Sequence, residues 1–464
     1  MSWPTAKPLP SPTMSAGRTV PTQLSTGITL AALTLGFGNI AFWWGGMQGR
    51  TWQIGLLFVG LIGVVFWTWM RHKHLSPPMD PWLRWLLLLL PAYVVLQAVP
   101  LPLWMVRVLS PARAELSDGM AKVFGGSGWA TLSVIPGETV FQLLGVVCAL
   151  LVWLVVRELC WRCSNQPWLL VIPPLVVATL EAVLGLVQVA EGAMGTVAEG
   201  TYANRNHFAG LLEMSLPFAV MTGVAFFQRA RTFNEFTAAL AGLQACALLV
   251  ATLMFVAILY SLSRMGFVAA LFALFLMGTL AWGSRLTAGK RWVGVAVIGS
   301  SIVLGFVFLS PDPLIFRFAE INAGDEVTAY DRALMWKETL PLIAAYPIFG
   351  CGLAGYESTF PRFNVTSQSH TVDYAHNDYL QVLAELGLVG SVLVGVLVVG
   401  LLSRTLRFAC SSYSNLDRWA LALACSGALG AILLHSFVDF NLYVPANAML
   451  LAWIGGIVSG LEFF

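Results

Sequence analysis

Charge is scarce in this chain. Twenty-five Lys and Arg and 23 Asp and Glu are spread over 464 residues, 10% of the total. A soluble domain carries roughly 25% charged residues, and so few charges cannot coat a water-exposed surface of this size. Cysteine is sparse too, at 7 residues. A soluble enzyme, a disordered chain and a disulfide-stapled secreted module are all excluded. No excess of one sign exists either: the net charge is +2, so nothing points to nucleic acid as a partner. What the chain has is hydrophobic residues, 58% of the total. It reads as an all-α polytopic membrane protein.

A spanning helix needs about 20 mostly apolar residues. About twelve such runs occur, near 28–45, 53–70, 83–99, 139–156, 168–189, 208–228, 237–259, 267–283, 292–309, 384–402, 419–437 and 447–463. Lys and Arg set the orientation. With the N-terminus in the cytoplasm, cytoplasmic segments hold fifteen of the 25 and short outer segments only Arg50, Arg205 and Arg264. The expected organisation is a flexible cytoplasmic tail over 1–26, transmembrane helices 1–9 over 27–309, one large extracytoplasmic loop with short helices over 310–383, and transmembrane helices 10–12 over 384–464. Both termini are then cytoplasmic. The Pro-, Ser- and Thr-rich tail lacks the early apolar core of a secretory signal.

The large loop contains DRALMWKETLPLIAAYP, amphipathic at helical spacing through Leu334, Trp336, Leu340, Leu342 and Ile343. Such a helix can lie along the membrane interface or pack over the top of the bundle. Cys160 and Cys163 form a lone CxxC in a cytoplasmic loop, which without a second pair reads as idle thiols. Glu181 and Glu213 fall inside spans, where an acid at mid-span costs about 2.5–3.5 kcal/mol on insertion scales. Each must face the bundle interior, and structural hydrogen bonding accounts for them better than proton relay.

Polar residues cluster at the outer helix ends: Asn204-Arg205-Asn206-His207, the short turn Ser261–Gly266 with Arg264, His370, His376-Asn377-Asp378, and His435, Asp439 and Asn441. These groups come from distant parts of the chain and fall at one face, so a single bundle can gather them in one site. The planar fork of arginine suits a phosphate and stays charged when partly desolvated. Two arginines on a pyrophosphate would offset the charge that builds as it leaves. Histidine is the side chain best suited to take a proton near neutral pH, and Asn377 or Asp378 stands ready in sequence to orient His376. The run His370, Asp373, His376 matches no established metal motif.

His376-Asn377, nine residues, Gly387, two residues, Gly390 resembles the signature of bacterial O-antigen ligases. The block Asp331-Arg332 with Trp336, Pro347, Gly350, Gly352 and Gly355 looks like the large periplasmic loop of that superfamily. NRNHFAG at 204–210, SLSRMG at 261–266 and HSFVDFNLYVPAN at 435–447 are similar to it too. The matches run over roughly 200–450, and the first third of the chain carries no such motif.

The resemblance implies a metal-independent, cofactor-free, inverting glycosyltransferase of GT-C-like fold in the bacterial plasma (inner) membrane. It would take a glycan from undecaprenyl diphosphate on the extracytoplasmic face and pass it to a hydroxyl on lipid A–core or a similar acceptor. Arg205 and Arg264 would hold the pyrophosphate, and His376 would take or position the acceptor hydroxyl's proton. Arg332, His370, Asn377, Asn204 and His207 follow as binding residues. Two alternatives remain open. One is a polysaccharide polymerase of the same superfamily, which differs in its acceptor. The other is a lipid-linked glycan transporter or flippase, which would place charged groups at the midplane and broken helices in paired halves.

Overall fold

The computed structural model describes residues 21–71, 77–126, 128–192, 197–233, 237–283, 329–365, 372–411 and 415–464. Fifteen α-helices occupy most of these residues. They are α1 (Pro21–Ala41), α2 (Gly49–Arg71), α3 (Pro81–Ala98), α4 (Leu103–Leu109), α5 (Pro111–Phe124), α6 (Pro136–Arg162), α7 (Ile172–Ala190) and α8 (Arg205–Phe233). There follow α9 (Ala238–Tyr260), α10 (Arg264–Gly283), α11 (Ala329–Ala345), α12 (Tyr356–Thr359), α13 (Asp378–Cys410), α14 (Leu416–His435) and α15 (Pro445–Gly460). The one β-ladder among the described residues pairs Leu101–Pro102 with Trp129–Ala130, antiparallel.

Among the described residues nine helices are long and apolar enough to cross a membrane, and α1 and α2 add shorter apolar helices. The chain is an all-α polytopic membrane protein. The expected spans fall on these helices except 292–309, which lies outside the described residues, as do residues 1–20 of the expected tail and His370.

Burial separates the centre from the periphery. The spanning windows of α8, α14 and α15 are 72%, 83% and 78% buried, whereas those of the other six spanning helices are 39% or less. The sequence of α14, ALALACSGALGAILL, explains its place. Lipid tails are as apolar as leucine, so helices associate in a bilayer by close packing of small residues rather than by escape from water. At the end of the bundle opposite His376, Arg404 of α13 reaches Asp80 (2.5 Å) and Glu462 (2.9 Å), tying α3 and the end of α15 together.

The α11 helix packs against α13 over the top of the bundle. Leu342 sits in a satellite cluster with Tyr346, Cys351, Tyr356, Phe360, Ala375 and Ala384, and the Trp336 indole N–H donates to the Ala375 carbonyl (3.0 Å). Of the two placements open to this amphipathic segment, packing on the bundle holds, although Leu340 faces outward. All seven cysteines are free thiols, with Cys160 and Cys163 buried among the helices.

Candidate functional site

The helix α13 begins at Asp378, earlier than hydropathy alone suggests, and is broken at Gly387, where φ is 59° and ψ −166°. This region of backbone space is open in practice to glycine alone. A break frees amides and carbonyls that must find partners, because lipid offers none. The loop after α11 supplies them. Leu388 N–H donates to the Pro347 carbonyl (2.9 Å) and Val389 N–H to Ile348 (3.1 Å). In return Cys351 N–H donates to Ala384 (2.9 Å) and Gly352 N–H to Glu385 (3.0 Å). A Cβ on Gly350 or Gly387 would strike the opposing backbone. Gly387 of the sequence signature and Gly350 of the preceding block therefore form the interlock between the loop and the helix that follows His376.

The early helices brace this interlock. The Tyr93 hydroxyl on α3 donates to the Leu386 carbonyl (2.6 Å). The Gln97 amide donates to the carbonyls of Phe349 (2.7 Å) and Glu385 (2.9 Å), and its carbonyl oxygen accepts from Leu353 N–H (3.2 Å). The first third of the chain, silent in motifs, thus holds the loop in place.

On the other side of the site, Glu181 and Gln188 of α7 pull the segment before α8 into the bundle. Glu181 accepts from Thr201 N–H (2.9 Å) and its hydroxyl (2.6 Å), and Gln188 accepts from Gly200 N–H (2.9 Å). This satisfies the intramembrane acid by structural hydrogen bonding. Asn204 Oδ1 then accepts from Asn206 N–H (2.8 Å), and α8 starts with Arg205 and His207 both buried. Arg264 opens α10 after the turn Ser261–Ser263, where Ser263 Oγ accepts from Gly266 N–H (3.2 Å). Gly266 lies directly against Ala209, one turn along α8 from Arg205. Both arginines therefore stand at the N-termini of two packed helices, the ends where unpaired amides and the helix dipole favour an anion.

Between these elements lies Asp439. Its Oδ1 is 3.4 Å from His207 Nε2 and 3.6 Å from His376 Nδ1. Burial pushes this carboxyl up, but the His207 and His376 imidazoles against it, with the charge of His207 and His435, hold it well below the usual carboxylate range. Phe440 lies edge-on to both imidazoles, with ring centroids at 4.6 and 4.9 Å, and stacks on Tyr374 at 4.1 Å. Asp439 is 1% exposed and His376 19%, so the ring is the accessible member of the pair. His376 sits at φ 46°, a strained left-handed position for a non-glycine residue. The backbone on either side pins it there: Ala375 N–H donates to Gln381 (2.7 Å), and Asp378 N–H donates to the Ser436 carbonyl (2.9 Å).

The sequence neighbours expected to orient His376 do other work. Asn377 Oδ1 caps α13 by accepting from Tyr379 and Leu380 N–H (3.0 and 3.1 Å). Asp378 Oδ2 accepts from the Ser436 hydroxyl (2.7 Å) and Leu442 N–H (3.3 Å), shaping the loop that presents Asp439. The residue beside the ring, Asp439, was visible in sequence only as part of a polar block. Arg332, on the second turn of α11, lies within electrostatic reach of His435. His435 is itself buried against Glu213 on α8, its Nδ1 3.0 Å from both carboxylate oxygens. His370 is outside the described residues.

Apart from the His207 and His376 nitrogens that face Asp439, four buried polar atoms in this region make no hydrogen bond among the described residues: Arg332 Nε, Asp378 Oδ1, His435 Nε2 and Asn441 Nδ2. Buried polar groups are nearly always paired. Four such exceptions stand at this end of the bundle. Arg205, Arg264 and His376 accordingly lie at one end of the bundle, on helices joined through His207, Asp439 and Ala209.

Residues 249–395 match the family described as O-antigen ligase. No curated protein matches the chain. The matched segment runs from α9 to α13 and includes Arg264, Arg332, His376 and both glycines of the helix break. The match supports similarity to an O-antigen ligase-like superfamily over this segment.

Proposed function

We propose that this O-antigen ligase-like membrane protein transfers a glycan from a polyprenyl diphosphate, undecaprenyl diphosphate in a bacterial plasma membrane, to a hydroxyl on an acceptor such as lipid A–core. The observation that carries this reading is the accessible His376 imidazole set against the buried carboxylate of Asp439, beside two packed helices that begin with Arg205 and Arg264. The acceptor oxygen attacks the anomeric carbon, and His376 takes its proton. The bond from that carbon to the diphosphate oxygen breaks on the opposite side, so the anomeric configuration inverts. Arg205 and Arg264 hold the departing diphosphate and offset its growing charge, which fixed donors in a water-poor site do without reorganising. Asp439 orients His376 and stabilises the imidazolium that forms, as a buried acid does for a catalytic histidine.

The placement of Lys and Arg supports a site on the extracytoplasmic face. The polar groups gather at one end of the bundle rather than at mid-membrane in paired halves, which favours transfer over transport. The test is a reconstituted assay with the lipid-linked donor, chelator, and either lipid A–core or a second lipid-linked glycan as acceptor. Transfer should proceed with chelator present and be abolished in Arg205→Ala, Arg264→Ala and His376→Ala proteins that still insert. Retained transfer in all three would overturn the proposal, and the productive acceptor separates ligase from polymerase.

A further inference from the structure

The α4–α5 hairpin lies between two membrane helices and leaves large apolar side chains uncovered. It leaves α3 within a few residues of Ala98 and returns to α6 at Pro136. Its base is clamped by the Leu101–Pro102 and Trp129–Ala130 ladder and by Leu103 N–H donating to the Gly128 carbonyl (2.9 Å). The α3 and α6 helices pack together, so the hairpin is held at the level where they leave the bilayer. One side faces the loop that locks α13. Ala112 packs against the cluster around Leu342 and Phe360, and the Arg113 guanidinium donates to the Ser133 carbonyl (3.0 Å).

Elsewhere the hairpin is apolar and uncovered. Trp104 and Val108 share one stripe of α4, away from the buried Val106, and are 67% and 75% exposed; Val123 and Phe124, about three turns along α5 from Ala112 and Arg113, are 74% and 81% exposed. Apolar residues this open lie elsewhere chiefly on lipid-facing helix surfaces, and an exposed cluster of them outside a span marks an interaction site. The flanking helix ends are apolar and exposed too, at Val99 just beyond α3 and Val140 on α6. The charges within it are matched, Arg107 meeting Asp118 at 2.9 Å.

We propose that the α4–α5 hairpin is seated in the bilayer interface on the side of the candidate site, with Trp104, Val108, Val123 and Phe124 immersed at the boundary between headgroups and acyl chains. An aromatic and aliphatic stripe at that depth is what an interfacial helix presents, and Lys122 at the rim can extend its ammonium to headgroup phosphates. Through Ala112, and through Val134 N–H donating to the Cys351 carbonyl (2.8 Å) where the chain returns to α6, the seated hairpin fixes the height of the loop that interlocks with α13. This inference needs only a membrane-embedded bundle and stands apart from the glycan-transfer reading.

The test uses the full chain in phosphatidylethanolamine–phosphatidylglycerol vesicles, with the two exposed cysteines Cys246 and Cys410 replaced by Ser. Single cysteines introduced as Val108→Cys and Phe124→Cys carry an environment-sensitive fluorophore. Glu357→Cys, on the exposed face of α12, serves as the reference in a protein folded the same way. Lipid-borne nitroxide should quench the labels at 108 and 124 at least about twofold more than the label at 357, and iodide in the buffer should show the reverse order. Labels at 108 and 124 open to iodide would overturn the proposal. So would labels shielded from both quenchers, the signature of a protein interface such as a second copy of this chain.

Discussion

A methyl group on Gly387 would run into the backbone nitrogen of Gly350, and one on Gly350 would run into the Glu385 carbonyl. The two glycines lie in segments far apart in sequence that interlock where α13 is broken, and His376 stands at the start of that helix. The histidine's position depends on this joint.

Gly387→Ala and Gly350→Ala should therefore each cost at least about 1–3 kcal/mol from backbone strain alone, with steric clash added. Gly395, further along α13 with open space around it, is the control. Thermal unfolding in detergent should show lowered midpoints for the first two variants and a much smaller change for Gly395→Ala.

Asp439→Asn keeps the volume of the side chain and removes its charge. The imidazolium formed as His376 takes a proton then loses its stabilising partner. Turnover should fall about 10²–10⁴-fold, the span of general acid–base contributions, while KM for the lipid-linked glycan changes little. A proportionate rise in KM with unchanged turnover would place Asp439 in binding instead.

The same carboxylate gives a pH prediction. Because its folded value lies below the ordinary Asp value of 3.8, the stability it contributes is fully present above that ordinary value. That stability fades only as pH falls through the lower, folded value. The difference in unfolding midpoint between the wild-type protein and Asp439→Asn should not decline from neutrality down to about pH 5 and should shrink in stronger acid. A difference that already declined between neutrality and mildly acid pH would contradict this.

Arg205→Lys and Arg264→Lys retain a positive charge and lose the bidentate fork. Each should slow transfer by about tenfold to a hundredfold, one to two factors of 1.4 kcal/mol, because a point charge cannot match two phosphate oxygens at once. The ratio of lysine to alanine variants in the same assay reads how much of the effect is geometry and how much is charge.

Glu181→Gln keeps an acceptor for the Thr201 amide and hydroxyl, whereas Glu181→Ala leaves them unpaired at about 1–3 kcal/mol. Protein with Gln should be stable and active; protein with Ala should lose stability and, through the segment leading to Arg205, activity. An inactive but stable Gln variant would revive proton relay at this residue.

Much of the architecture was legible because hydropathy is a local property. Runs such as 139–156 and 419–437 announce their helices without reference to anything else in the chain, and scarce charge left them no other solvent. The bunching of polar residues before α8, α10 and α13 and after α14 was legible for the same reason. Less was readable where backbone geometry intervenes. The hydropathy of α13 does not reveal that a glycine breaks it or that Pro347–Gly352 repairs the break. Nor do the apolar spans of the first third reveal that Tyr93 and Gln97 hold the repair.

Composition and the spacing of apolar residues thus established a membrane bundle with its polar groups at one end, since both follow from the cost of leaving a residue in lipid. They left open which acid His376 would meet. Asn377 and Asp378 were nearest along the chain, yet a helix start needs its own cap and the loop at 436–442 needs its own hydrogen bonds, so both were taken. Asp439 reaches the ring because the packing of α8, α13 and α14 brings it there, and contacts between distant segments leave no mark on local hydropathy.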